Sequence, residues 1–144
     1  MSGPAFDASG PLDVSTLEVL AERATTHPLV TDAAFQPDSI SPRVLEILID
    51  ATQYPGPIRE ARLDVRWFEG GEYSIHYVET EPSGTWQCRW DRHPKPDAPT
   101  EHFHPPPDAG PVTEPSTLDG DHHLAILFSV LDWVEGRVQE LYDG

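Results

Sequence analysis

The chain is 144 residues long and carries 25 Asp and Glu against 9 Lys and Arg, a formal net charge of −16. That length fits one domain, and a hydrophobic content of 38 %, with 4 Trp, 4 Tyr and 5 Phe, supplies a core and excludes a disordered acidic tail. No apolar run nears the ~20 residues that cross a bilayer, no basic-then-apolar leader opens the chain, and a lone Cys88 excludes both an internal disulfide and a Cys-based zinc finger.

Residues 1–13 are rich in Gly, Pro, Asp and Ser and read as a flexible segment. From Val14 to Ala24 the positions Val14, Leu17, Leu20, Ala21 and Ala24 follow helical spacing, with Asp13 or Ser15 as cap and His27-Pro28 as the stop. Residues 29–40 carry no clear period. The segment Arg43 to Asp50 reads as a strand on its β-branched and Leu content, although Ser41-Pro42 also suits a helix start. Tyr54 to Pro57 is a loop.

The centre alternates. Leu63, Val65 and Trp67 face away from Asp64, Arg66 and Phe68, and Gly70-Gly71 marks a hairpin turn. Glu72 to Thr80 alternates Tyr73, Ile75 and Tyr77 with Ser74, His76 and Val78. After Pro82-Ser83-Gly84, Thr85 to Asp91 alternates Trp86, Cys88 and Trp90 with Gln87, Arg89 and Asp91. This is an antiparallel meander with one apolar and one polar face. Pro94 to Pro115 holds too many prolines for a helix or central strand. Leu124 to Tyr142 carries the stripe Leu124, Leu127, Phe128, Leu131, Val134, Val138, Leu141, a long final helix with Asp119 and Asp121 suited to its first turn. The expected fold is α+β: a single domain over 14–144, an antiparallel β-meander covered by helices, with a Pro/His-rich loop at 92–116.

Register sharpens the polar face. A two-residue turn at Ser83-Gly84 sets His76 opposite Asp91; a four-residue loop over Glu81 to Gly84 sets it opposite Arg89. Either even length puts His76, Gln87, Arg89 and Asp91 on one face and Tyr77, Trp86, Cys88 and Trp90 on the other, which is the core. A three-residue loop breaks this arrangement. Cys88 then reads as a small buried hydrophobe rather than a nucleophile.

Eight of the nine basic residues are Arg, with Lys95 the exception. An acidic, Lys-poor surface suits a cytoplasm at molar salt, where the Debye length falls to ~3 Å. The chain is therefore read as a halophilic, archaeal, cytoplasmic protein, the alternative being an ordinary acidic protein poor in Lys. On this reading the net charge reports the solvent and does not exclude nucleic acid. Against that background the window Trp86 to Pro107 stands out: Arg89, Arg92 and Lys95 balance Asp91, Asp97 and Glu101, and His93, His102 and His104 fall inside it. The alternative to a site is an exposed loop decorated with His and Pro.

The order of a Tyr/His strand (Tyr73, His76), an Arg-Trp-Asp strand end (Arg89, Trp90, Asp91), a His-Pro (His93, Pro94) and a Pro-flanked His cluster (His102, His104, Pro105) resembles the TumE-like toxin family. It also resembles small acidic proteins of haloarchaea. The resemblance covers Leu63 to Pro107 and extends to the last helix, with Arg92 where the family usually has Asn and with a sparser final His cluster. It implies a toxin of a toxin–antitoxin system, with RNA and a cognate antitoxin as partners.

Metal-independent RNA cleavage needs a base, an acid and a cation for the phosphate. His76 and His104 are the candidates for proton transfer and Arg89 for the phosphate. Asp91 would orient a His, Tyr73 or Trp90 would offer a stacking face, and His93 and His102 would line the substrate. No cofactor is expected on this reading. A second reading is a His-rich metal-binding module without catalysis: His102-Phe103-His104, if extended, directs two imidazoles to one side, and His93 or His76 with Asp91 completes a set of four. The prolines Pro105 to Pro107 argue against that motif lying on a strand. A third reading is a protein-interaction module working through the Pro-rich loop.

Overall fold

The computed structural model describes residues 10–93, 100–118 and 120–144. Residues 1–9, Pro94, Lys95, Asp97 and Asp119, named above, lie outside them. From Pro11 on the chain is pinned: Glu69 N–H donates to the Pro11 carbonyl at 3.0 Å and Asp13 N–H to the Trp67 carbonyl at 2.8 Å.

Helix α1 spans Val14–Ala24. The Asp13 carboxylate caps it, accepting from Thr16 N–H at 3.0 Å and from the Thr16 hydroxyl at 2.7 Å. Leu17, Leu20 and Ala24 are buried, while Val14 is exposed.

Strands follow at Val30–Gln36 (β1), Val44–Ile49 (β2), Glu60–Trp67 (β3), Tyr73–Glu81 (β4), Gly84–Arg92 (β5), Glu101–His104 (β6) and Glu114–Pro115 (β7), and helix α2, His123–Asp143, closes the chain. They form one sheet in the order β1-β2-β3-β4-β5-β6-β7, and every neighbouring pair is antiparallel. The α+β meander read from the sequence is the observed fold. The unassigned segment 29–40 contains β1; a register shift between Val30 and Asp32 breaks its alternation, which is why no period shows.

The largest departure lies in the Pro-rich stretch. Residues 101–104 contain no proline and form β6, paired with β5 from Arg89↔His104 to Arg92↔Glu101. The prolines flank this strand or sit on the two-residue edge strand β7, where a missing N–H leaves no ladder bond open. The His102-Phe103-His104 motif therefore does lie on a strand, against the expectation drawn from Pro105 to Pro107.

The β4–β5 hairpin pairs Thr80 with Thr85 and Glu81 with Gly84, which leaves Pro82-Ser83 as the loop and sets His76 opposite Arg89. In the β3–β4 turn Gly71 takes φ +92°, a conformation that side chains resist. The core gathers Leu45, Ile47, Leu63, Val65, Ile75, Tyr77, Cys88 and Trp90 from one sheet face with Leu17, Leu20, Ile126, Leu127, Leu131 and Val134 from the helices. Both helices thus cover the same face, and the opposite face is left to the polar residues. Among the described residues no helix is long and apolar enough to cross a membrane.

Candidate functional site

On the face away from the helices the antiparallel register aligns residues in rows. One row reads Asp64, His76, Arg89, His104 across β3 to β6, and the next reads Arg66, Ser74, Asp91, His102. Of the sequence candidates, His76, Arg89, Asp91, His102 and His104 share this face. His93 joins them at the end of β5, its ring edge-on to His102 with centroids 4.8 Å apart.

The centre of the cluster is a three-way contact. Arg89 donates Nε to both Asp91 oxygens at 3.1 and 3.0 Å. His104 Nε2 lies 2.9 Å from Asp91 Oδ2 and 3.1 Å from Arg89 Nη2. His104 Nδ1 lies 2.7 Å from the Gly110 carbonyl. A carbonyl oxygen only accepts, so Nδ1 carries a hydrogen. Nε2 then has a partner in either state: its lone pair accepts from Arg89, and when protonated it donates to Asp91.

His102 is 1 % exposed, and Asp91 and His104 are each 6 % exposed. Such polar groups are buried on a polar face because the chain after β6 folds back: Gln87 N–H donates to the Pro107 carbonyl at 2.9 Å, and Gly110 sits on His104. The Arg89 side chain keeps 33 % of its exposure, so the row opens to solvent at its middle.

His76 is half-buried. Its Nε2 lies 2.7 Å from Gln87 Oε1, so with the amide oxygen accepting, Nε2 holds the hydrogen and Nδ1 keeps the lone pair. Burial lowers its pKa below the ordinary value, opposed by the Gln87 hydrogen bond, which favours the charged form. The ring is thus a neutral base at neutral pH.

Tyr73 and Trp90, expected to stack on a substrate, do not join the site. Period-two alternation sends them to the core side, where both are buried. Tyr73 stacks on Trp67 with centroids 4.8 Å apart and donates its hydroxyl to Glu101 Oε2 at 2.8 Å. Trp90 packs edge-on against Trp133 and is tilted against Phe103. Cys88 is fully buried in the same core, and burial pushes its thiol up.

Two features escaped the sequence. The Gly110 carbonyl that orients His104 has no side chain to advertise it. A second polar network lies on the helix side: Glu79, 1 % exposed, accepts from Arg137 Nε and Nη2 and from the Tyr77 hydroxyl, and Arg137 lies 3.6 Å over the Trp86 ring. Asp91, His102 and His104 also form a set of metal-ligating types, their ligand atoms all within 4.8 Å of one another.

Comparison with known proteins adds the family. No curated protein and no solved structure matches the chain. The family model described as Toxin TumE matches residues 17–138, from the first turns of α1 to the last turns of α2, and so takes in the whole sheet and every member of the cluster. A match over that much of the sequence places it: the chain belongs to the TumE toxin family.

Proposed function

We propose that the chain is the toxin of a toxin–antitoxin pair and that its exposed sheet face cleaves RNA without a metal. The supporting observation is the cross-strand row of His76, Arg89 and His104. Adjacent strands lie ~4.8 Å apart, so two imidazoles flank one guanidinium across a backbone span of ~10 Å. In the reaction His76 Nδ1 takes the 2′-hydroxyl proton, and the 2′-oxygen attacks phosphorus. Arg89 holds the charge that builds on the phosphate oxygens. Protonated His104 Nε2 gives its proton to the departing 5′-oxygen, leaving a 2′,3′-cyclic phosphate and a 5′-hydroxyl. Asp91 is a positioning residue, bonded to both Arg89 and His104. Because His104 is nearly enclosed, this step requires the segment 105–110 to open.

The composition supports the substrate. Three of the eight arginines, Arg62, Arg66 and Arg89, lie on this one face of β3 and β5, on a chain of net charge −16. RNA as target implies a cytoplasmic site of action, and the Lys-poor acidic composition supports a halophilic archaeal source. The partner is a cognate antitoxin. Expression of the chain alone in a cell tests the reading: wild type is expected to arrest growth, and His76→Asn and Arg89→Ala are expected to relieve the arrest at equal protein level. Unrelieved arrest by both variants contradicts it.

A further inference from the structure

We propose that Asp91, His102 and His104 form a binding site for a divalent transition metal of the zinc class. This stands whether or not the chain cuts RNA, because it rests on the convergence of ligand atoms from Asp91, His102 and His104, although the cleavage reading also uses Asp91 and His104.

The ligand chemistry fits. Two neutral imidazoles and one carboxylate suit zinc and its neighbours better than magnesium or calcium, which prefer oxygen alone. The backbone places them: His102 and His104 are two residues apart on extended β6 and so share a face, and Asp91 is the direct cross-strand partner of His102. Their ligand atoms already converge within 4.8 Å. His104 Nε2 and Asp91 Oδ2 are 2.9 Å apart, close to the ~3 Å donor separation that bonds of ~2 Å impose around one ion.

The surroundings fit as well. His104 donates Nδ1–H to the Gly110 carbonyl at 2.7 Å, which fixes the ring with Nε2 turned to the cluster, the outer-shell arrangement found around ligating histidines. All three side chains are buried, so an ion there is shielded from water on most sides. His93 is a further imidazole beside the set, ring to ring with His102 at 4.8 Å. Arg89 Nη2 occupies the approach to His104 Nε2 in this structure. An ion takes Oδ2 and Nε2, leaves Oδ1 to Arg89 Nε, and turns Nη2 outward.

A second group, His27, Asp132 and Glu135, has ligating types but not the chemistry. Leu29 N–H donates to His27 Nδ1, so the ring hydrogen sits on Nε2, facing Glu135. Its carboxylates are exposed.

The test is titration of the chelator-treated chain with Zn²⁺ by calorimetry and with Co²⁺ by visible absorption. One ion per chain is expected, with cobalt bands of four-coordinate intensity and a melting temperature that rises with Zn²⁺. Asp91→Asn and His104→Gln are expected to weaken binding at least ~10-fold, in line with the loss of a ligand, and Glu135→Gln to leave it unchanged. Near-UV circular dichroism of each variant checks the fold, and a variant that fails this check is replaced by His102→Gln. Absence of binding by wild type, binding kept by folded Asp91→Asn, or binding lost in Glu135→Gln overturns the proposal. None of these readouts involves RNA, so failure of the cleavage reading leaves them interpretable.

Discussion

Arg137 on α2 grips Glu79 on β4 with two charge-assisted hydrogen bonds, Nε to Oε2 at 2.8 Å and Nη2 to Oε1 at 2.9 Å. The pair fastens the helix across the sheet at a point where Glu79 is 1 % exposed and also accepts from the Tyr77 hydroxyl. Arg137→Ala leaves that carboxylate buried without its cation, so a loss of about 3–5 kcal/mol is expected. Arg137→Lys is expected to recover only part of it, since an ammonium cannot reproduce the two-pronged contact or the stacking on Trp86. Urea denaturation measures both; a loss under 1 kcal/mol for the Ala variant would mean the pair is dispensable.

His27 follows the same logic on a smaller scale. The sequence leaves it in a loop after α1, but it is buried, accepts from Leu29 N–H at 3.1 Å, and its Nε2 lies 3.3 Å from Glu135. His27→Ala is expected to lower stability by about 1–3 kcal/mol through the buried Leu29 N–H it strands. Activity per folded molecule should not change, and comparing denaturation curves with rates normalised to folded fraction checks this.

The meander was legible because Leu63/Val65, Tyr73/Ile75/Tyr77 and Cys88/Trp90 alternate without interruption and the turns carry Gly70-Gly71 and Gly84. The one-face placement of His76, Arg89 and Asp91 followed, since any even loop yields it. β6 was hidden because proline density over twenty residues outweighed the five-residue gap free of proline from Thr100 to His104. The burial of His102 and His104 was hidden for a different reason: it depends on the chain folding back over its own polar face, which no local pattern encodes. Tyr73 and Trp90 were misplaced as substrate contacts although their own alternation already sent them to the core.

Salt should govern stability. A net charge of −16 on 144 residues repels itself once screening is withdrawn, as the Debye length grows from ~3 Å at 1 M to ~30 Å at 0.01 M. The melting temperature is expected to rise steadily from low to molar KCl. A flat profile would contradict the halophilic reading.

Acid should act through His76. Burial lowers its pKa in the folded chain below the ordinary 6.5, so below that value the unfolded chain binds more protons than the native one. Its contribution to stability is therefore present at neutral pH and above and falls away as pH drops below 6.5. His76→Asn is expected to flatten that part of the stability curve. Cleavage should lose its base over the same acidic range, with an inflection on the acid side of 6.5; an inflection on the alkaline side would remove His76 as the base.

Zinc and proton transfer compete for the same atom. If an ion takes His104 Nε2, cleavage is expected to fall as Zn²⁺ is added and to return with chelator. The ratio of the two rates, measured on one preparation, checks it; stimulation by Zn²⁺ would contradict the metal-free role given to His104.

The most direct measurement is the chemistry of the RNA ends. End-labelled RNA is incubated with the purified chain at molar KCl with chelator present, and the new 3′ ends are identified. Wild type is expected to form 2′,3′-cyclic phosphates paired with 5′-hydroxyls, reduced at least ~100-fold in His76→Asn, the scale on which a lost proton-transfer group acts. RNA left intact, or cleaved by wild type and His76→Asn alike, would contradict it.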